Sequence, residues 1–138
     1  MSARYRTEAI NTEGGDGISR ILDGMSVDVS SPLAADFDAS ASNPEQLLAL
    51  AWVTCLNATA QAIVRGERRT AVRVEVELHA AEAGYEFHVD GYLSAEGLSD
   101  AGTADLVAAA HARCPVSKLI GGAATVHVHA EAYAGASA

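Results

Sequence analysis

From Thr70 to Ala80 apolar and polar residues alternate. Val72, Val74, Val76 and Leu78 fall on one side, and Arg73, Glu75, Glu77 and His79 on the other. A period of two predicts a half-buried strand. After the turn "AEAG", "YEFHVDGYL" repeats the alternation and makes a hairpin. "AATVHVHAEAY" reads as a final strand. Near the start, "ARYRTEAI" alternates weakly, and the glycines of "NTEGGDG" supply a turn. "ISRIL" and "MSVDVS" flank Asp23-Gly24, a two-residue hairpin signal.

Between these strand patterns lie two helical ones. From Leu47 to Val64 the chain is almost continuously apolar, interrupted by Thr54, Asn57, Thr59 and Gln61. A helix apolar on most faces is expected to be central and buried. Asn43 suits its N-cap, Pro44 its first turn, Gln46 completes a capping-box pattern, and Glu45 meets the positive end of the dipole. "RGERR" ends it. Ser99 or Asp100 caps a second helix, "DAGTADLVAAAHAR", which stops at Cys114-Pro115 because a residue before proline avoids helical backbone. "PVSKLI" reads as a short turn. The order is β-β-β-α-β-β-α-β, an α+β fold with an antiparallel sheet and two main helices, in a single domain over residues 1–138.

The chain has 138 residues, 49% hydrophobic and 20% charged, with a net charge of −9. That balance is globular, and so acidic a chain lacks the clustered Lys and Arg that bind phosphates, which argues against a nucleic-acid partner. The sequence shows neither a signal peptide nor an apolar stretch approaching the roughly 20 residues that span a bilayer. The expected compartment is the cytoplasm, with no membrane partner. There the two cysteines suit redox or catalytic chemistry, or simple burial.

Cys55 lies well inside the first helix, beyond the reach of the N-terminal dipole. Its thiol needs a cation from elsewhere to ionise below the ordinary ~8.5. Cys114 precedes proline at a helix start, where free N–H groups favour a thiolate. Either residue alone is equally a small buried hydrophobe. Without Cys-x-x-Cys spacing a metal site has no support.

"NPEQLLALAWVTC" and "AAAHARCPVS" together resemble the OsmC/Ohr family, the osmotically inducible protein C and organic hydroperoxide resistance proteins. The family pattern is Asn-Pro-Glu, a helical Cys ten residues after the Glu, and Cys-Pro-x-Ser after the second helix. Glu45 and Cys55 keep the spacing of ten, and Cys114-Pro115-Val116-Ser117 matches the second motif. That motif is closer to the OsmC-like branch. The resemblance implies an OsmC-like fold in an intertwined homodimer, with active sites at the subunit interface. It implies an antioxidant peroxidase that reduces organic hydroperoxides without metal, flavin or haem. Cys55 would become a sulfenic acid, Cys114 would resolve it to a redox-active disulfide, and a small dithiol such as dihydrolipoamide would reduce that disulfide. Glu45 would orient an Arg holding Cys55 as thiolate.

The chain departs from the family at that Arg. Ohr-type proteins carry it in a Gly-Arg turn, where Gly15 falls here; OsmC-type proteins carry it in the loop before Asn-Pro-Glu, and Leu33 to Ser42 contains none. Arg20 is the nearest candidate, with Arg4 and Arg6 behind it. The alternative is a non-catalytic OsmC-like protein, binding a small ligand or associated with stress, that lacks the activating Arg. Trp52, one turn before Cys55, is a candidate to line a substrate pocket, against plain packing. His127 and His129 share a strand face at metal-ligand spacing, for which a solvated face is the simpler reading. His111, three residues before Cys114, reads as a surface or interface histidine rather than a base.

Overall fold

The computed structural model describes residues 2–134. It forms two compact units, Met1–Leu47 and Leu48–Ala138.

The first unit is an antiparallel sheet of β1 (Ala9–Asn11), β2 (Gly17–Ile21) and β3 (Ser26–Val29), with β2 in the middle. Asn11 closes the β1–β2 turn with its side chain, accepting from the Gly14 N–H at 2.7 Å and donating to its carbonyl at 2.9 Å. The β2–β3 connection is longer than the two residues expected. Ile21 N–H donates to the Met25 carbonyl across a loop in which Asp23 takes a φ of 61°. Asp tolerates this left-handed backbone better than most residues. The chain then loops back, so that Ser42 lies parallel to Val29 and delivers Asn43 to the next element.

That element is α1 (Pro44–Val64), capped as expected: the Asn43 side chain accepts from the Gln46 N–H at 2.9 Å. The helix ends where Arg65 and Gly66 turn to positive φ. By length and composition its 21 residues match a membrane span, contrary to the sequence expectation that nothing approached that length. In this fold it packs as a core helix, with Trp52, Leu56 and Ala60 buried. It is less enclosed than predicted, for Leu50 is 61% exposed.

The second unit contains β4 (Thr70–Ala80), β5 (Tyr85–Ala95) and β6 (Val126–Ala130) in the order β4-β5-β6. The β4–β5 hairpin is antiparallel, whereas β6 joins β5 in parallel after a crossover through α2 (Asp100–Arg113) and α3 (Pro115–Ile120). A parallel neighbour needs such a crossover. The α+β class and the two main helices stand, with α3 formed where the sequence suggested a turn. Ser99 caps α2, accepting from the Gly102 N–H at 3.0 Å.

The core joins α1 to β5 and α2, with Leu56 and Leu93 at 0% exposure. Burying each such leucine stabilises the fold by about 1.5–3 kcal/mol. The alternating strands expose their polar rows as predicted. On that face the Arg73 guanidinium lies 3.9 Å from the Tyr92 ring centre and grips both Glu131 carboxylate oxygens. His129 stacks on Tyr92 and hydrogen-bonds Asp90 at 2.8 Å, so it is engaged on the sheet face. Among the described residues no cluster of three metal-ligating side chains occurs.

Candidate functional site: two facing thiols

Cys55 is half-buried on α1 and Cys114 is fully buried between α2 and α3; neither is in a disulfide. The fold brings these distant residues together, close enough for each thiol to shift the ionisation of the other. The Cys114 backbone is extended, with φ −67° and ψ 123°, as a residue before proline requires. It ends α2 and caps α3 at once. In the second role its sulfur accepts from the Ser117 N–H at 3.4 Å.

The two thiols are pushed in opposite directions. Burial raises Cys55 above its ordinary value; the Val116 N–H lowers it, and the neighbouring Cys114 raises it further. Burial also raises Cys114, but hydrogen bonds from the Ser117 backbone and side chain, from Cys55 and from the Val116 N–H outweigh it. Cys114 therefore ends below its ordinary value. Hydrogen bonds to the charged form cause this, as the sequence expected from free N–H groups at a helix start.

Trp52 reaches this site by a route the sequence did not reveal. Its ring is wholly buried, and its indole N–H donates to the Ser117 hydroxyl oxygen at 2.8 Å. The ring packs in the core of the second unit. His111 is half-buried, its ring centre lies 6.4 Å from that of Trp52, and its Nδ1 is buried without a partner among the described residues. Ser117 was visible only as the last letter of a motif. A residue three places after a cysteine N-cap presents its N–H to the cap atom, and that rule could have assigned its role.

The remaining candidates lie in the first unit. Glu45 is half-buried in the first turn of α1. Arg20 is exposed on β2, at the rim of an apolar cavity of about 190 Å³ lined also by Ala9, Ile21, Met25, Val27 and Leu47. A larger, polar cavity of about 830 Å³ lies by Asn57, Gln61, Arg68 and Thr70 and includes neither cysteine.

The OsmC-like protein family model matches residues 37–129. An organic hydroperoxide resistance protein-like chain of Mycoplasma pneumoniae is 28% identical over 125 residues, covering 87% of this chain and 89% of that one. The organic hydroperoxide resistance protein OhrA of Bacillus subtilis is 37% identical over 90 residues, 59% of this chain and 62% of its own. Among solved structures, an organic hydroperoxide resistance protein OsmC from Legionella pneumophila superposes with a TM-score of 0.82 at 28% identity, covering 95% of this chain and 98% of that one. The matched segment carries the Asn-Pro-Glu start of α1, both thiols and the Cys-Pro-Val-Ser corner, and the chain belongs to the OsmC-like protein family.

Proposed function

We propose that this chain is a thiol-dependent peroxidase that reduces organic hydroperoxides through Cys55 and Cys114, with a small dithiol of the dihydrolipoamide kind as reductant. The observation that carries this reading is the facing pair of thiols, one partly accessible and one buried. The relatives named for organic hydroperoxide resistance supply the substrate class. The Cys55 thiolate attacks the distal peroxide oxygen, the O–O bond breaks, and the alcohol departs, leaving a sulfenic acid. The Cys114 thiolate then attacks that sulfur, water leaves, and a Cys55–Cys114 disulfide remains. The dithiol restores both thiols by exchange.

Cys55 needs a cation for the first step. In a single chain the groups acting on it are burial, the Val116 N–H and Cys114, none of which is cationic. Ten helical residues also separate Glu45 from Cys55, a rise of about 15 Å, so this carboxylate does not touch the thiol on its own helix. An intertwined homodimer answers both points. In it Arg20, oriented by Glu45, bridges to the thiolate, and the apolar cavity beside Arg20 accepts the alkyl part of the peroxide. The exposed Leu50 on α1 suits a face covered by a second copy.

The test is one equivalent of an organic hydroperoxide followed by peptide mass spectrometry. A Cys55–Cys114 cross-link is expected; two free thiols overturn the proposal. The raised Cys55 favours a second reading, a binding protein with idle thiols. Alkylation rate against pH in Cys114→Ser separates them. A Cys55 pKa well below the ordinary ~8.5, rising on Arg20→Ala, supports the peroxidase. A Cys55 that titrates at or above that value in the assembled protein supports the idle-thiol reading.

A further inference from the structure

The chemistry above leaves open which sulfur the reducing thiol attacks. Trp52, Ser117 and Cys114 form a buried chain of contacts, at 0%, 2% and 0% exposure. The indole N–H is a donor only, and at 2.8 Å it fills a lone pair of the Ser117 oxygen. The Ser117 proton is thereby left to point elsewhere, and the Ser117 side chain is among the groups that lower the Cys114 thiol. The Ser117 backbone N–H approaches the same sulfur at 3.4 Å. The backbone and the side chain of one residue thus both favour the Cys114 anion, in surroundings dry enough to strengthen the effect. Cys55 lies nearer solvent and has one backbone donor, Val116.

We propose that Trp52 is a positioning residue that, by orienting Ser117, makes Cys114 the leaving sulfur when the Cys55–Cys114 disulfide is reduced, directing the reducing thiol to Cys55. The inference takes from the proposed function only that this disulfide forms. Access and leaving-group stability agree: the attacked sulfur is the partly exposed one, and the departing one is held by hydrogen bonds that favour its anion. A thiolate of the reductant bonds to the Cys55 sulfur, the Cys55–Cys114 bond breaks, and its electron pair leaves on Cys114. The second thiolate of a dithiol then attacks the reductant's own sulfur in the mixed disulfide, releasing Cys55 as thiolate and a cyclic disulfide. The protein disulfide gains two electrons, the dithiol loses two, and the two reductant protons end on the two cysteines. Cys55 acts on Cys114 directly, and the His111 ring stands 6.4 Å from that of Trp52. A tryptophan that merely packs would leave the ionisation of Cys114 indifferent to its N–H.

The full chain, oxidised with diamide, is treated briefly with 2-mercaptoethanol, quenched with an alkylating agent, and mapped by peptide mass spectrometry. The expected product carries mercaptoethanol on Cys55 and the alkyl group on Cys114; an adduct mainly on Cys114 overturns the proposal, as does failure of diamide to form the disulfide. Because diamide replaces the peroxide, a chain inert to hydroperoxide defeats the peroxidase reading while this arm still decides the regiochemistry. In a Cys55→Ser background, the ultraviolet absorbance of the thiolate then follows Cys114. Its titration is expected to move to higher pH in Trp52→Phe and in Ser117→Ala, and to be restored in Ser117→Thr, while reduction of the disulfide slows several-fold in the first two variants of the two-cysteine protein. An unmoved Cys114 titration in Trp52→Phe reduces Trp52 to packing and overturns its role. Should Trp52→Phe fail to fold, the Ser117→Ala and Ser117→Thr pair decides, and identical titrations in both overturn the relay.

Discussion

The ring of Trp52 lies against the backbone of Gly91, so close that a methyl group there would stand 2.9 Å from its Cη2 and Cζ3 atoms. The glycine interrupts the side-chain row of β5 at the one place where α1 presses its largest residue onto the sheet. Sheet and helix are keyed together at this point, 39 residues apart in sequence.

Gly91→Ala should therefore destabilise the fold by about 1–3 kcal/mol through overpacking. The loss should shrink in a Trp52→Leu background, since the two sites share one contact. Urea unfolding of the four proteins of the cycle measures this. Equal losses in both backgrounds would show that Trp52 is not what the new methyl group meets.

Asn43→Ala should cost about 1 kcal/mol by removing the acceptor for the Gln46 N–H, whereas Asn43→Asp should keep most of that stability. Thermal or urea unfolding of the two variants makes the comparison. Equal loss in both would mean that the buried amide of Asn43 matters for another reason.

The opposed shifts of the two thiols give each single-cysteine protein its own pH dependence, under reducing conditions. Cys114 is lowered on folding, so in Cys55→Ser its contribution is present above the unfolded thiol pKa of ~8.5 and is lost as pH falls through the lower folded value. In Cys114→Ser the slope separates the two readings of Cys55: burial in the single chain raises it, so that its contribution is present below ~8.5 and is lost as pH rises through the higher folded value, whereas an Arg20-paired thiolate in the assembled protein reverses that slope. Unfolding free energies measured across the alkaline range follow both variants. A Cys55→Ser protein whose stability did not fall as pH dropped through the folded value of Cys114 would contradict the assignment of Cys114.

Under the proposed function, Cys114→Ser should consume one equivalent of organic hydroperoxide and stall at a Cys55 sulfenic acid, which dimedone traps. Cys55→Ser should consume none. Turnover by Cys55→Ser would place the first attack on Cys114 and reverse the proposed order.

Patterns of local range were legible in the chain itself. The period of two across Val72, Val74, Val76 and Leu78 marks β4 because a pleated strand turns successive side chains to opposite faces. Asn43, Pro44 and Gln46 announce α1 because a helix start needs partners for its free N–H groups, and neighbours in sequence supply them. Cys114-Pro115 marks the corner between α2 and α3 because proline restricts the residue before it. Only the tertiary structure decided what distant residues do to one another. The parallel pairing of β6 with β5 depends on a crossover whose direction no local pattern encodes. The raised Cys55 and the lowered Cys114 depend on which thiol is enclosed and which receives the Ser117 donors. Trp52 reads from sequence as an apolar residue with a choice between packing and pocket; its N–H finds Ser117 across 65 residues. A buried donor must be satisfied wherever the fold brings an acceptor, and that acceptor is chosen by packing in three dimensions rather than by spacing along the chain.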